Sequence, residues 1–144
     1  MIPSELTNIP RWINWEQRGN DKKPLSPTGR VANALHYENW QTYEQAKANS
    51  TKLGFVLDGD YVVIDGDHEP YISLLTNQYI EKTYCEVSPR GGIHVWLKGS
   101  HVNKRGKFEV YSDKRWITIS SHDNNREIRE LSNEDKEWIL THIK

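Results

Sequence analysis

The strongest structural signal in the chain is the segment Leu53-Gly-Phe-Val-Leu-Asp-Gly-Asp-Tyr-Val-Val-Ile-Asp65-Gly-Asp67. Two short apolar runs flank the first Asp-Gly-Asp, a pattern that predicts two strands joined by a hairpin turn. The second run ends in Asp65 and Asp67, which are two positions apart. In an extended chain this spacing places both carboxylates on the same face of the strand. The segment therefore predicts a hairpin whose second strand ends in a pair of acids.

The rest of the chain alternates between strand and helix patterns. The polar residues 18–33, punctuated by Pro and Gly, predict an irregular loop. Strands are predicted over residues 12–16, 83–87, 93–97, 107–111 and 115–120, with a turn at residues 112–114, and helices over residues 40–49, 70–82 and 132–143. The pattern predicts one α+β domain over residues 1–144, in which a largely antiparallel, twisted sheet carries helices on one side.

Two further polar side chains are predicted on the face that carries the acid pair. Alternation in the strand over residues 93–97 puts His94 opposite the aliphatic face, and alternation around residue 109 does the same for Glu109. Carboxylates held together favour a hard divalent cation, Mg²⁺ or Mn²⁺. Asp65, Asp67, Glu109 and His94 thus fit a two-metal phosphoryl-transfer site. The pattern equally allows Asp65-Gly-Asp67 to be a turn, His94 to be structural and Glu109 to be solvated.

The segment Ser88-Pro-Arg90-Gly-Gly92 lies between two predicted strands, just before His94. Two glycines allow backbone N–H groups to approach a ligand closely, and the Arg90 guanidinium adds donors suited to phosphate oxygens. An ordinary glycine-rich hairpin explains the segment equally well.

Charge and composition limit the possible partners and the compartment. The formal net charge is −1, so any contact with nucleic acid requires a local basic patch. Residues 98–107 supply Lys98, Lys104, Arg105 and Lys107, although a solvated loop has the same composition. Cys85 is the only cysteine, which excludes a disulfide framework. With no signal peptide and no long apolar stretch, we expect a cytoplasmic protein that does not bind membranes.

Several motifs occur in an order known from one protein family. A Trp-rich strand, the Lys23-Pro loop, an aromatic-led helix and the strand ending in Asp65-Gly-Asp67 come first. A Ser-Pro-Arg-Gly-Gly-Ile-His segment and a Glu-Val-Tyr strand followed by Arg115 come next. Over residues 10–121 the chain resembles the bifunctional primase-polymerase (prim-pol) branch of the archaeo-eukaryotic primase superfamily, which occurs in phages, plasmids and other mobile elements.

The resemblance implies a fold, a reaction and roles for residues. The fold is an RRM-like catalytic sheet with a small α/β unit, and the reaction is synthesis or extension of a primer on a single-stranded DNA template. Divalent metals bind the acids, nucleotide phosphates contact the middle motif, and a separate helicase or replication initiator is the expected partner. By this resemblance Asp65, Asp67 and Glu109 are catalytic metal ligands, and Ser88, Arg90, His94, Lys23 and Arg115 bind nucleotide or template.

Two other functions remain open from the residues. The first is an accessory module with the primase fold that no longer catalyses and binds single-stranded DNA or a replicative helicase. The second is a metal-dependent nuclease, which uses the same kind of carboxylates. A rolling-circle initiator is disfavoured, because His94-Val-Trp96 does not supply the two histidines that such a metal site needs.

Overall fold

The computed structural model describes residues 1–144 and has the expected α+β class, with a mixed eight-stranded sheet and four helices. Most strand pairs are antiparallel, and β8 pairs with β5 in parallel. The strands are β1 (Trp12–Arg18), β2 (Asp21–Leu25), β3 (Leu53–Gly66), β4 (Cys85–Val87), β5 (Ile93–Lys98), β6 (Lys104–Arg105), β7 (Glu109–Ile119) and β8 (Arg129–Glu130). The helices are α1 (Ser4–Thr7), α2 (Tyr43–Asn49), α3 (Tyr71–Tyr79) and α4 (Asn133–His142).

Two predicted turns are wrong, because β3 and β7 are continuous strands. The predicted hairpin at residues 58–60 lies inside β3, and the predicted turn at residues 112–114 lies inside β7. Each site contains one residue with positive φ, Gly59 at 91° and Lys114 at 54°. A single residue of this kind makes a local irregularity, of the β-bulge type, without reversing the chain. The strands stay extended because β3 pairs with β7 and also with β1 and β5.

The predicted irregular loop over residues 18–33 is also partly wrong. It contains β2, which pairs antiparallel with β1 in a register that brings Arg18 opposite Asp21. The two-residue connection between them is Gly19-Asn20, and Gly19 has a φ of 60°. Such a connection favours a tight hairpin. Pro24 is tolerated in β2 because this strand lies at the edge of the sheet, where a missing N–H breaks no ladder.

The three predicted helices are confirmed with shorter bounds. α2 begins after Thr42, whose hydroxyl accepts a hydrogen bond from the Gln45 N–H, while the Gln45 side chain accepts one from the Thr42 N–H. α4 begins in the same way after Ser132, with Asp135 in the reciprocal position. These capping boxes explain why both helices begin where they do. A 3₁₀ turn at Tyr37–Asn39 precedes the predicted helix, and residues 40–42, predicted to be helical, lie outside α2.

The chain divides into two compact units, each with its own apolar core. The first consists of Met1 with residues 57–113 and 120–144, and the second of residues 2–56 and 114–119. The core of the first includes the inward faces of β3, β4 and β5 together with side chains of α3 and α4, among them Val62, Ile64, Leu75, Tyr79, Val95, Leu97, Phe108, Val110 and Ile139. The core of the second is built on Ile13, Ala34 and Val56, with Trp40 and Trp116 packed against them.

No helix combines the length and the apolar character needed to cross a bilayer; the longest, α4, has ten residues.

Candidate functional site

Asp65 and Asp67 lie at the end of β3, in the first unit, on the side opposite its apolar core. The residue between them, Gly66, faces the core, where a Cβ atom would lie 2.8 Å from Cδ1 of Leu75. Because successive side chains of a strand point to opposite faces, Asp65 points away from the core, and its side chain is only 13% exposed. Asp67 follows the last residue of β3, is exposed, and is close enough to Asp65 to raise its pKa.

Glu109, at the start of β7, is the third acid of the group. Its neighbours Phe108 and Val110 are buried in the core of the first unit, so Glu109 points to the other face, as alternation predicted. One of its oxygens, Oε2, lies 3.3 Å from Nε of Arg105, across the β6–β7 pair. The sequence placed Arg105 in a basic patch for DNA, and the structure pairs it with one of the predicted catalytic acids.

Burial and the neighbouring charges together raise the pKa of Asp65 from 3.8 to about 6. Burial is the largest cause, because it disfavours the charged carboxylate. His94 opposes this effect, while the negative charges of Asp67 and Glu109 add to it. The three predicted acids are thus close enough to influence one another, although they come from two strands.

His94 lies in β5, directly opposite Asp65 in the β3–β5 register. Its Nε2 atom is 3.6 Å from Oδ1 of Asp65, which is beyond hydrogen-bond distance but within the range of an ion pair. Its Nδ1 atom lies 3.1 Å from Oε1 of Glu86. The imidazole is buried between two carboxyl groups, one on β3 and one on β4.

Glu86, in β4, was not predicted to belong to the site. Its side chain is fully buried, and four groups donate hydrogen bonds to it or face it. They are the Ser120 N–H at 2.9 Å, Nδ1 of His94 at 3.1 Å, and Nε1 of Trp96 and the Tyr84 hydroxyl, both at 3.3 Å. Strand alternation is the sequence signal that could have identified Glu86. Because Cys85 lies in the core, Glu86 points to the opposite face, where it lies opposite His94 in the β4–β5 register.

The loop between β4 and β5 uses its own polar groups internally. The Gly92 N–H donates to the Ser88 hydroxyl at 2.9 Å, and the Gly91 N–H donates to the Ser88 carbonyl at 2.9 Å. The expected presentation of these N–H groups to a phosphate is therefore not found. Arg90 is exposed at the tip of the loop. The Ser88 hydroxyl accepts from Gly92 and still has its own proton to donate, so the predicted ligand contacts of the Ser88 and Arg90 side chains are both compatible with the observed hydrogen bonds.

Replacing Gly92 with alanine is expected to destabilise the fold by about 2 kcal/mol, as overpacking does when the backbone cannot yield. A Cβ atom at position 92 would lie 2.5 Å from the carbonyl oxygen of Gly66, between the two predicted acids. Chemical denaturation provides the measurement. Gly19→Ala is the control, since a Cβ there meets no atom within 4 Å and reports only the cost of positive φ. An equal loss in both variants would contradict the close approach.

The predicted basic residues are scattered. Lys98, Lys104 and Lys107 are exposed in the first unit. Lys23 and Arg115 belong to the second unit, where Nζ of Lys23 lies 3.7 Å from Oδ2 of Asp21 and Arg115 is half-buried. The second unit has nine basic and five acidic side chains, so its formal charge is positive, whereas the whole chain is at −1. The basic side chains are divided almost equally between the two units, and the second unit is net positive because it has few acids.

The chemistry of the acids fits a hard cation. Oδ1 of Asp65 and Oε2 of Glu109 are buried and make no hydrogen bond, although each has a basic neighbour at ion-pair distance, His94 at 3.6 Å and Arg105 at 3.3 Å. Such oxygens are tolerated best when a cation approaches them, and an all-oxygen donor set suits Mg²⁺ or Mn²⁺. As they stand, no three His, Cys, Asp or Glu side chains in the structure are arranged closely enough to hold a metal ion. The carboxylate oxygens are thus of the type that binds Mg²⁺ or Mn²⁺, but they are not arranged as a complete metal site.

A cavity of about 360 Å³ is lined by residues of α3 and β4, including Glu86, and by residues 122–124. Its lining is largely apolar and includes Ile72, Ile80, Cys85 and Ile93. None of the three predicted acids lines it. The cavity and the acid group are therefore separate features of the first unit.

No protein-family model matches the chain, and a search of curated proteins found no match.

Proposed function

We propose that this chain is a metal-dependent, DNA-templated nucleotidyltransferase, a primase or primase-polymerase subunit of a phage or mobile-element replication system. The observation that carries the proposal is the group formed by Asp65, Asp67 and Glu109, with His94 beside it. Two of its buried carboxylate oxygens make no hydrogen bond, and Asp65 has a raised pKa. Phosphoryl-transfer sites concentrate carboxylates in this way.

In this proposal Asp65, Asp67 and Glu109 hold Mg²⁺ or Mn²⁺. The cation would supply positive charge that stabilises the phosphate oxygens during transfer. The ion pair with Arg105 must open for a cation to reach Oε2 of Glu109, and it can open because the guanidinium is 73% exposed and can be rehydrated. On release from Glu109, its guanidinium remains next to the acids, where it suits the phosphates of a nucleotide.

The chain's own residues would bind and orient the other reactants. His94 faces the acid group through Nε2, which suits contact with the phosphates of an incoming nucleotide. Arg90 is exposed at the nearby loop tip and offers a planar set of donors. Basic side chains would contact the single-stranded DNA template; the candidates are Lys98, Lys104 and Lys107 in the first unit and Lys23 and Arg115 in the second. A separate helicase or initiator would bring the template.

A second candidate function is a non-catalytic module with the primase fold that binds single-stranded DNA or a replicative helicase. The observation that favours it is the ion pair between Arg105 and Glu109, which already neutralises one of the three acids. In that case the acid group would be structural, and removal of its charges would leave DNA or helicase binding unchanged.

The deciding experiment is primer synthesis and extension by the purified chain on single-stranded DNA, with labelled NTPs or dNTPs and Mg²⁺ or Mn²⁺. We expect a metal-dependent product that falls by at least about a thousandfold in the double variant Asp65→Asn/Asp67→Asn, because both proposed metal ligands lose their charge.

The chain provides a matched control in the same strand. Asp58-Gly-Asp60 has the same sequence as Asp65-Gly-Asp67 but is exposed and remote from the buried imidazole. The variant Asp58→Asn/Asp60→Asn makes the same change in charge and should retain full activity. Equal loss in both variants would contradict the assigned site, and absence of product in the wild type with a helicase added would favour the second candidate.

A further inference from the structure

We propose that a neutral, polar cleft in the second unit holds an unpaired base of single-stranded DNA. The choice of a template strand as the ligand rests on the proposed function. The cleft itself does not, since all of its lining residues belong to the second unit, whereas the three predicted acids belong to the first.

The cleft lies between the loop that follows β2 and the C-terminal end of α2. Two cavities, of about 230 and 480 Å³, share Pro27 and Asn49 and are therefore parts of one cleft. Their size is that of ligand sites, which measure about 300–1,000 Å³. No lining side chain is charged; the polar ones are amides and hydroxyls, among them Asn14, Ser26, Thr28, Gln41, Gln45 and Asn49. A neutral polar lining fits a nucleobase better than a phosphate.

A chain of hydrogen-bonded amides fixes the atoms that the cleft presents. Nδ2 of Asn14 faces the carbonyl oxygens of Ala46 and Lys52, at 2.9 and 3.2 Å. Because carbonyl oxygens only accept, this atom must be the amide nitrogen, and Gln41 therefore donates to Oδ1 of Asn14 at 3.2 Å. Oε1 of Gln41 in turn accepts from Nδ2 of Asn49 at 2.8 Å. Since Asn14 and Gln41 are buried, two main-chain carbonyls determine the orientation of all three amides.

Asn49 ends this chain of amides at the surface. It is exposed and lines both cavities. With one Nδ2 proton bound to Gln41, its amide keeps a second N–H donor and the Oδ1 acceptor. Such an amide can pair with the Watson–Crick edge of a base, which is accessible only in an unpaired strand. The half-buried Trp40 lines the wider cavity and offers an aromatic surface on which the base can stack.

Basic side chains border the neutral lining. Arg30 directly follows the lining loop, Lys47 lies in α2, and Lys52 follows the end of α2; all three are exposed. Glu44 is the one acid directly adjacent in sequence to a lining residue. A base in the neutral cleft, with its flanking phosphates at this basic border, matches the chemistry of a single strand.

The first measurement is the binding of a fluorescently labelled single-stranded oligonucleotide, followed by anisotropy in EDTA so that the acid group holds no metal. We expect Asn49→Ala to weaken binding about tenfold, as loss of a base contact does. The slope of log affinity against log salt should stay unchanged, because no phosphate contact is lost. Asn8→Ala is the matched control: Asn8 is exposed at the C-terminal end of α1 in the same unit and does not line the cleft. It should bind as the wild type does.

The basic border is tested in the same assay. Arg30→Gln/Lys47→Gln should weaken binding and reduce the salt slope by about one, since each lost phosphate contact on a single strand contributes about 0.7. Base contact and phosphate contact are thus separated by the salt dependence. An unchanged slope in this double variant would contradict a phosphate path along the border.

A duplex of the same sequence separates base recognition from general attraction to DNA. Its Watson–Crick edges are paired, so wild type and Asn49→Ala should bind it equally. Equal losses for duplex and single strand would overturn the proposal, as would unchanged single-strand binding by Asn49→Ala.

Cross-linking of the wild-type chain needs no variant and therefore decides the matter even if Asn49→Ala does not fold. With an oligonucleotide that carries iodouracil, we expect the cross-linked peptide to contain Trp40, the aromatic side chain of the cleft. Cross-links confined to the first unit would overturn the proposal. Neither measurement involves primer synthesis, so absence of product would refute the proposed function while these results still decided the base site.

Discussion

Asp65→Asn is expected to stabilise the protein at neutral pH, by up to about 3 kcal/mol, while it abolishes metal-dependent activity. The pKa of Asp65 rises from 3.8 to about 6 in the folded protein, mainly because the carboxyl group is buried. Each pKa unit corresponds to about 1.4 kcal/mol, so a rise of about two units means that the ionised carboxylate opposes folding by about 3 kcal/mol. An amide keeps the shape of the side chain and carries no charge. Higher stability together with lost activity is the result expected for a residue that serves function at the expense of stability.

The effect should depend on pH in one direction. The folded state binds the Asp65 proton more tightly than the unfolded state does. Wild-type stability therefore falls as the pH rises from about 4 to about 6 and is unaffected by this group outside that window. The advantage of Asp65→Asn should be close to zero at pH 4 and complete at pH 7.

Urea denaturation of wild type and variant across this pH range measures the difference. Asp58→Asn is the control, as it removes an exposed carboxylate from the same strand and should change stability by less than about 0.5 kcal/mol. Addition of Mn²⁺ should stabilise the wild type and leave Asp65→Asn unchanged, since a ligand stabilises only the state that binds it. If Asp65→Asn is no more stable than the wild type at pH 7, the prediction is wrong, and neighbouring groups compensate the buried charge of Asp65.

Strand alternation was sufficient to predict the faces of the sheet but not the length of its strands. The opposite orientations of Val110 and Glu109, and of Val95 and His94, follow from a period of two residues. Asp-Gly-Asp and Ser-Asp-Lys have the composition of turns, and both are absorbed into long strands. Pairing with several neighbouring strands, which no local pattern reveals, keeps β3 and β7 extended at Gly59 and Lys114.

The same distinction applies to the candidate site. Asp65, Asp67 and Glu109 could be grouped because alternation along two predicted strands puts them on the same face. The pairing of Glu109 with Arg105 depends on the register of β6 against β7, and the contact of His94 with Glu86 depends on that of β4 against β5. Register results from the tertiary fit of the strands, so the partners of these side chains could not be predicted from one sequence.

The helix that closes the chain depends on one buried carboxylate, and Asp135→Ala is expected to lower the free energy of unfolding by about 2–4 kcal/mol. Asp135 accepts hydrogen bonds from the N–H and hydroxyl of Ser132, at 2.8 and 2.9 Å, and from both terminal nitrogens of Arg129, at 2.9 and 3.0 Å. The Tyr79 hydroxyl donates a further bond at 3.1 Å. Removal would leave these donors without their acceptor, although the partly exposed Arg129 can be rehydrated, which limits the loss.

The pH dependence of this loss should be opposite in sign to that at Asp65. Burial opposes ionisation of Asp135, but the hydrogen bonds from Arg129 and Ser132 outweigh it and hold the pKa below its usual value. The contribution of Asp135 is therefore complete above about pH 4 and disappears as the pH falls through the lowered pKa. Denaturation at pH 7 and in acid measures it, with Glu134→Ala, an exposed acid in the same helical turn, as the control. Equal effects of the two substitutions at pH 7 would mean that the negative charge at the helix start, and not the hydrogen-bond network, carries the stabilisation.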